Sequence, residues 1–118
     1  MKKLTLLIAL LLNGINIAAA ESTTRTPQFS NDLVKVWKTV IYNKTNQALP
    51  MHRHENDRVV VALTDGLLKI TNDKGKTHYL KLEKDKAYFL AKDPINELHN
   101  DENLSDHPIS VMVIELKK

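Results

Sequence analysis

The chain has 118 residues, which is enough for one small domain with a single hydrophobic core and too few for two such domains. It carries 17 basic and 14 acidic residues, and Lys2 and Lys3 supply two of the three excess positive charges, so a clustered basic face for nucleic acid is not indicated. There is no cysteine, which excludes a disulfide framework, a zinc–thiolate site and a cysteine nucleophile.

Residues 1–20 have the features of an export signal. Lys2 and Lys3 precede an apolar run from Leu4 to Leu12, and Ala18–Ala20 supplies the small residues that a signal peptidase recognises. The apolar run is shorter than the roughly 20 residues that span a bilayer. We therefore expect cleavage before Glu21, a mature protein that does not associate with a membrane, and a periplasmic or secreted location.

The mature part is predicted to consist of a loose N-terminal arm at residues 21–32, rich in Ser, Thr, Asn and Pro, and one domain at residues 33–118. No stretch of that domain has the apolar spacing of an amphipathic helix, whereas short β-rich runs alternate with turn residues. The predicted strands are Leu33–Tyr42, Ala48–His54, Arg58–Thr64, Leu67–Thr71, Thr77–Leu82, Ala87–Ala91 and Ile109–Leu116. Asp65-Gly66 predicts a tight turn with Leu67–Thr71 as the return strand. This pattern indicates an all-β sandwich or small barrel.

His52 and His54 are the first candidate ligands for a metal ion. Residues two apart on an extended segment point to the same face, so both imidazoles can converge on one point. A His-x-His pair is weak evidence alone, because two surface histidines on an edge strand have the same spacing.

Residues around this pair resemble the two motifs of the cupin family, which are small jelly-roll β-barrels. The first motif is Gly, five residues, His-x-His and a later Gly, and it matches Asn46, His52, His54 and Gly66. The second is Pro-x-Gly, two residues, His, three residues and Asn, and it matches Pro94, Asn96, His99 and Asn103. The resemblance covers residues 34–116 and implies a single-domain, RmlC-like jelly-roll barrel of seven or eight strands. It implies structural turn positions at Asn46, Gly66, Pro94 and Asn103.

In this family the metal is usually held by three His and one Glu. The resemblance therefore implies that His52, His54 and His99 hold a divalent ion, for which neutral imidazoles suit iron, zinc, nickel or copper. The motif Glu follows the second His after three or four residues, and here Arg58 and Val59 occupy those two positions, so the Glu is missing. Arg58 cannot be a ligand, since it is always protonated, but on an unbulged strand it points into the same cavity as the histidines. Thiol dioxygenases are cupins with three-histidine iron and an Arg near the substrate carboxylate, which implies a substrate-binding role for Arg58.

Three interpretations of the site remain. The three histidines hold a metal with open positions; or the metal is gone and Arg58 and the histidines bind a small anion; or Arg58 pairs with Glu97 or another acid in a structural relic. The function expected is a secreted metal-binding cupin that acts on or senses a small anionic molecule. The alternative is a metal-free ligand-binding or structural module without catalytic activity. The resemblance also implies a homodimer as one form of assembly.

Overall fold

The structure is a computed structural model that describes residues 23–43 and 50–118. Within these ranges the chain forms eight β-strands: β1 (Thr23–Ser30), β2 (Val34–Ile41), β3 (Arg58–Ala62), β4 (Gly66–Asn72), β5 (Thr77–Leu82), β6 (Ala87–Leu90), β7 (His99–Asn103) and β8 (Ile109–Leu116). None of the described residues belongs to a helix that could cross a membrane. The predicted all-β class is confirmed.

The strands form two antiparallel sheets. The larger sheet has the order β1-β2-β8-β3-β6, and the smaller one has the order β5-β4-β7. β8 lies at the centre of the larger sheet and pairs over its whole length with β2. β3 lies between β8 and β6, as its run of Val59-Val60-Val61 predicts for a strand that is apolar on both faces.

The hydrophobic core lies between the two sheets. Alternate residues of β3 and β8 point into it, since side chains on a strand repeat every two residues. The buried apolar side chains are Trp37, Ile41, Val60, Ala62, Leu68, Leu82, Ile109, Val111 and Val113. The core is densest at one end, where Ala62, Leu82 and Ile109 are almost completely buried.

The loose arm expected at residues 21–32 is a strand over most of its described part. β1 pairs with β2 from Thr23 to Ser30, with a register shift between Pro27 and Phe29. It is an edge strand whose side chains are mostly exposed, so its sequence lacks apolar alternation. Proline is tolerated there because an edge strand leaves some N–H groups unpaired.

The predicted hairpin at Asp65-Gly66 is wrong. β3 and β4 lie in different sheets, and the chain crosses between them at residues 63–65. Leu63 N–H donates to the Ser110 carbonyl, and Ser105 Oγ accepts from Leu67 N–H, so the crossing is tied to both sides of the sandwich. Gly66 is the first residue of β4 and serves close packing, because a Cβ there would overlap the Ile109 side chain.

Asn103 connects three parts of the chain. Its buried Nδ2 donates to the carbonyls of Ile41 (2.9 Å) and His107 (2.8 Å), and its Oδ1 accepts from Ser105 N–H (2.8 Å). A second motif Asn, Asn96, has φ 69°, the left-handed conformation that its motif glycine would adopt easily. The Pro94 carbonyl accepts from Glu97 N–H at 3.3 Å and closes that turn. Asn46 and the export signal lie outside the described residues.

Candidate metal centre

His52 and His99 are joined through their backbones. His52 N–H donates to the His99 carbonyl and His99 N–H donates to the His52 carbonyl, both at 2.8 Å. His52 is thereby added to the end of β7 as a single bridge, although residues 50–57 do not form the strand predicted for Ala48–His54. This pairing places the two imidazoles side by side.

Three imidazoles converge at this end of β7. One nitrogen from each of His52, His54 and His99 lies within 4.8 Å of the others. The ring centroids are 4.9 Å apart for His52 and His54, 4.6 Å for His52 and His99, and 5.3 Å for His54 and His99. The structure therefore brings together the three histidines that the two motifs single out.

Neighbouring acceptors orient two of these rings. The Pro50 carbonyl lies 2.8 Å from His52 Nδ1, and a carbonyl can only accept, so Nδ1 carries a proton and the neutral ring has its free lone pair on Nε2. Asp93 Oδ2 lies 3.3 Å from His99 Nδ1 and favours the same tautomer of that ring. Both rings therefore present Nε2 as the metal-binding atom.

Two carboxylates that sequence analysis missed belong to the site. Asp93 Oδ2 accepts from His54 N–H at 2.7 Å, so one carboxylate positions both His54 and His99. Asp101 lies two residues after His99 on β7 and shares its face, with Oδ2 3.6 Å from His52 Nε2 and Oδ1 4.0 Å from His99 Nε2. The alternation His99, Asp101 is the signal that could have found Asp101, had this segment been recognised as a strand.

Arg58 lies in the same cavity, and its side chain is largely buried. Its Nη1 is buried and has no hydrogen-bond partner among the described residues. The carboxylates of Asp93, Asp101 and Glu115 act on it electrostatically, but none forms an ion pair with it within the described ranges. Glu97 also lines the cavity, and no ion pair between Glu97 and Arg58 is present in this part of the chain. Asp57 is directed elsewhere, since its Oδ1 accepts from Lys92 N–H at 2.8 Å.

The cavity has a polar end and an apolar body, and its volume is about 730 Å³. The histidines, Arg58 and the two aspartates form the polar end. The body lies between the two sheets and is lined by side chains that include Trp37, Val60, Leu68, Ile70, Val111 and Val113. A cavity of this size is within the range of small-molecule sites, which is roughly 300–1,000 Å³.

Burial sets the charge of the site. Burial and the positive charge of Arg58 lower the pKa of His54 to about 3, and burial also lowers the pKa of His99 against the opposing effect of Asp101 and Asp93. Burial raises the pKa of Asp101, with His99, His52 and Arg58 acting against it. Burial lowers the pKa of Arg58, which the surrounding carboxylates oppose. Neutral His54 and His99 have the lone pairs that a metal requires.

The donor set suits a divalent transition metal. Three imidazoles from two separate segments converge, two of them with the proton on Nδ1 and Nε2 free to bind, and acceptors behind the rings hold their orientation. This is the combination of ligands and supporting hydrogen bonds that zinc, iron, nickel and copper sites use. The histidines would hold the ion, and the ion would supply Lewis-acid or redox chemistry at its open positions.

Comparison with solved structures finds related folds. The chain is similar to a cupin domain from Bordetella pertussis, with 26% identity and a TM-score of 0.68 over 82% of this chain and 95% of that chain. An RmlC-like cupin family protein with a double-stranded β-helix fold from Methanocaldococcus jannaschii has 12% identity and a TM-score of 0.59, with 83% of each chain covered.

A third similar structure is the polyketide cyclase RemF from Streptomyces resistomycificus, with 18% identity and a TM-score of 0.58 over 85% of this chain and 68% of that chain. The two matches with the lower identities show the fold alone. No protein-family profile matches the sequence, and no curated protein matches it.

Proposed function

The chain has the cupin jelly-roll fold, and from that premise we propose that it binds one divalent transition-metal ion through His52, His54 and His99. The observation that carries the proposal is the convergence of the three imidazoles within 4.8 Å. The supporting contacts from Pro50 and Asp93 fix the ring orientations, as is usual for histidines that bind a metal.

We further propose that the protein acts on or senses a small molecule that carries an anionic group. A buried guanidinium beside the histidines suits an anion, because a charge-assisted hydrogen bond to a carboxylate contributes about 1.5–3 kcal/mol. The apolar body of the cavity has room for the rest of the molecule. The features of residues 1–20 support a periplasmic or secreted location for this activity.

A titration tests the metal site. The protein is stripped with a chelator, dialysed, and titrated with Zn²⁺, Co²⁺, Ni²⁺, Cu²⁺ and, without oxygen, Fe²⁺. We expect one equivalent to bind. At a free metal concentration of 100 Kd the gain in folding free energy is about 2.7 kcal/mol, which corresponds to a rise in Tm of roughly 10–20 °C for a domain of this size. Absence of saturable binding and of any shift in Tm would refute the proposal.

The chelator-treated protein is also used to distinguish the metal-binding site from the metal-free alternative. Acetate and phosphate are added in the presence of EDTA, and Tm is compared between the wild type and Arg58→Met. The metal-free alternative predicts that these anions raise Tm in the presence of EDTA, that the rise disappears in Arg58→Met, and that no metal binds. This set of results would favour an anion-binding cavity. We expect Arg58→Met to bind one equivalent of metal while its Tm responds less to the anions. This result would agree with metal binding by the histidines and anion binding by Arg58.

A further inference from the structure

Asp101 is the most unusual group near the histidines. It lies on β7 within the cavity with its side chain only 17% exposed, and its oxygens face His52 Nε2 and His99 Nε2. Among the residues that the structure describes, no Lys or Arg forms an ion pair with it. A carboxylate removed from water needs a counter-charge or hydrogen-bond donors, because an unpaired buried charge is strongly destabilising.

In their neutral forms the two imidazoles do not supply those donors. His52 donates its Nδ1 proton to the Pro50 carbonyl, and His99 has its Nδ1 beside Asp93. Their Nε2 lone pairs therefore face the Asp101 oxygens at 3.6 and 4.0 Å. Three electron-pair donors that point at one region repel each other unless a proton or a metal cation lies between them, and a divalent cation can satisfy all three at once.

The separations fit such a cation. Metal–nitrogen and metal–oxygen bonds of about 2.0–2.2 Å place two ligands of one tetrahedral ion roughly 3.3–3.5 Å apart. The distance of 3.6 Å from Asp101 Oδ2 to His52 Nε2 is close to this range, and the distance of 4.0 Å from Asp101 Oδ1 to His99 Nε2 is longer. A rotation of the Asp101 side chain toward His52 and His99 would bring one of its oxygens within reach of an ion that those two rings bind.

We propose that Asp101 is a fourth protein ligand of the metal and that it replaces the motif Glu, whose position Arg58 occupies. The carboxylate would then come from β7, the strand that holds His99, and not from the start of β3, where Arg58 lies. The site would consist of three imidazoles and one carboxylate. The ion and its four ligands would then carry a net charge of +1. This inference rests on the proposed metal-binding function.

The test compares Asp101→Asn and Asp101→Ala with the wild type. Zn²⁺ affinity is measured by competition with a chelator, and the visible absorption of Co²⁺-loaded protein reports the ligand set. Glu102→Gln is the matched control, because Glu102 is the adjacent carboxylate on β7 and is exposed. We expect both Asp101 variants to lose at least about 100-fold in Zn²⁺ affinity and to show a changed Co²⁺ spectrum, while Glu102→Gln retains both wild-type properties.

The outcomes separate this inference from the function on which it rests. If the wild type binds one equivalent and both Asp101 variants keep its Co²⁺ spectrum, Asp101 is not a ligand, even if the affinity falls through lost charge. If the wild type binds no metal, the proposed function fails and this inference fails with it. A crystal structure of the Zn²⁺-loaded wild type does not depend on the folding of a variant. It should place an Asp101 oxygen about 2.0–2.2 Å from the ion, and a clearly longer distance would overturn the inference.

Discussion

Replacing His52 and His54 together by alanine is expected to abolish stoichiometric metal binding. Structural zinc sites with four ligands release about 10–16 kcal/mol on binding, or roughly 3 kcal/mol per ligand, so the loss of two ligands lowers affinity by about 10⁴-fold. The fold should persist, because the contacts between residues 52 and 99 are made by backbone atoms that alanine retains. The measurements are metal equivalents after gel filtration, Zn²⁺ affinity, and Tm with and without Zn²⁺.

The control for this variant is His107→Ala. His107 lies outside the cavity, where its ring contacts Asp106 (2.8 Å) and the Asp65 carbonyl (2.7 Å). The His107→Ala substitution removes an imidazole and leaves the three converging rings unchanged. Binding that is unchanged in His52→Ala/His54→Ala, or lost equally in His107→Ala, would mean that the metal binds elsewhere.

Gly66→Ala is expected to destabilise the apo protein by about 2–3 kcal/mol through overpacking. The new Cβ would overlap Cγ1 and Cδ1 of Ile109, which is completely buried and cannot move into open space. The backbone conformation of Gly66 is not left-handed, so alanine is tolerated there apart from the overlap. Most of the cost should therefore disappear when the Ile109 side chain is shortened, which leaves Ser105 Oγ at 3.3 Å as the remaining close contact.

A double-mutant cycle measures this dependence by urea denaturation. Ile109→Ala costs about 2–5 kcal/mol alone, and Gly66→Ala should add less than about 0.5 kcal/mol in that background. Ile109→Val removes only Cδ1 and should give partial relief in a more stable background. Gly75→Ala is the matched control: Gly75 has φ +85° and open space around it, so its cost of about 1–2 kcal/mol should not depend on Ile109. Equal costs of Gly66→Ala in all backgrounds would contradict the packing role.

The sequence predicts strands well where apolar residues fill the interior. The runs that became β3 and β8 are rich in Val and Ile, because their side chains form the core between the sheets. β7 was missed although its residues alternate, because the inward positions are polar: His99 and Asp101 face the candidate metal centre, and Asn103 makes buried hydrogen bonds. β1 was missed for a different reason, since an exposed edge strand needs no apolar face.

The candidate site was predictable to the extent that spacing determines it. Spacing alone suggested His52, His54 and Arg58, and the motif resemblance added His99; the structure places all four in one cavity. Spacing could not reveal Asp93, because Asp93 lies 39 residues after His54 in the chain and only the fold brings its carboxylate to the His54 N–H. The hairpin error has the same origin, because local turn residues do not specify which sheet the next strand will join.

The most direct test of the central claim is the metal content of the mature protein. The full chain is exported, purified without a chelator or a histidine tag, and analysed by mass spectrometry of its metals, with His99→Ala purified in parallel. The account predicts close to one equivalent of one transition metal in the wild type and almost none in His99→Ala. Less than about a tenth of an equivalent in the wild type, with no increase on reloading, would contradict it, because the convergent histidines would then not hold a metal.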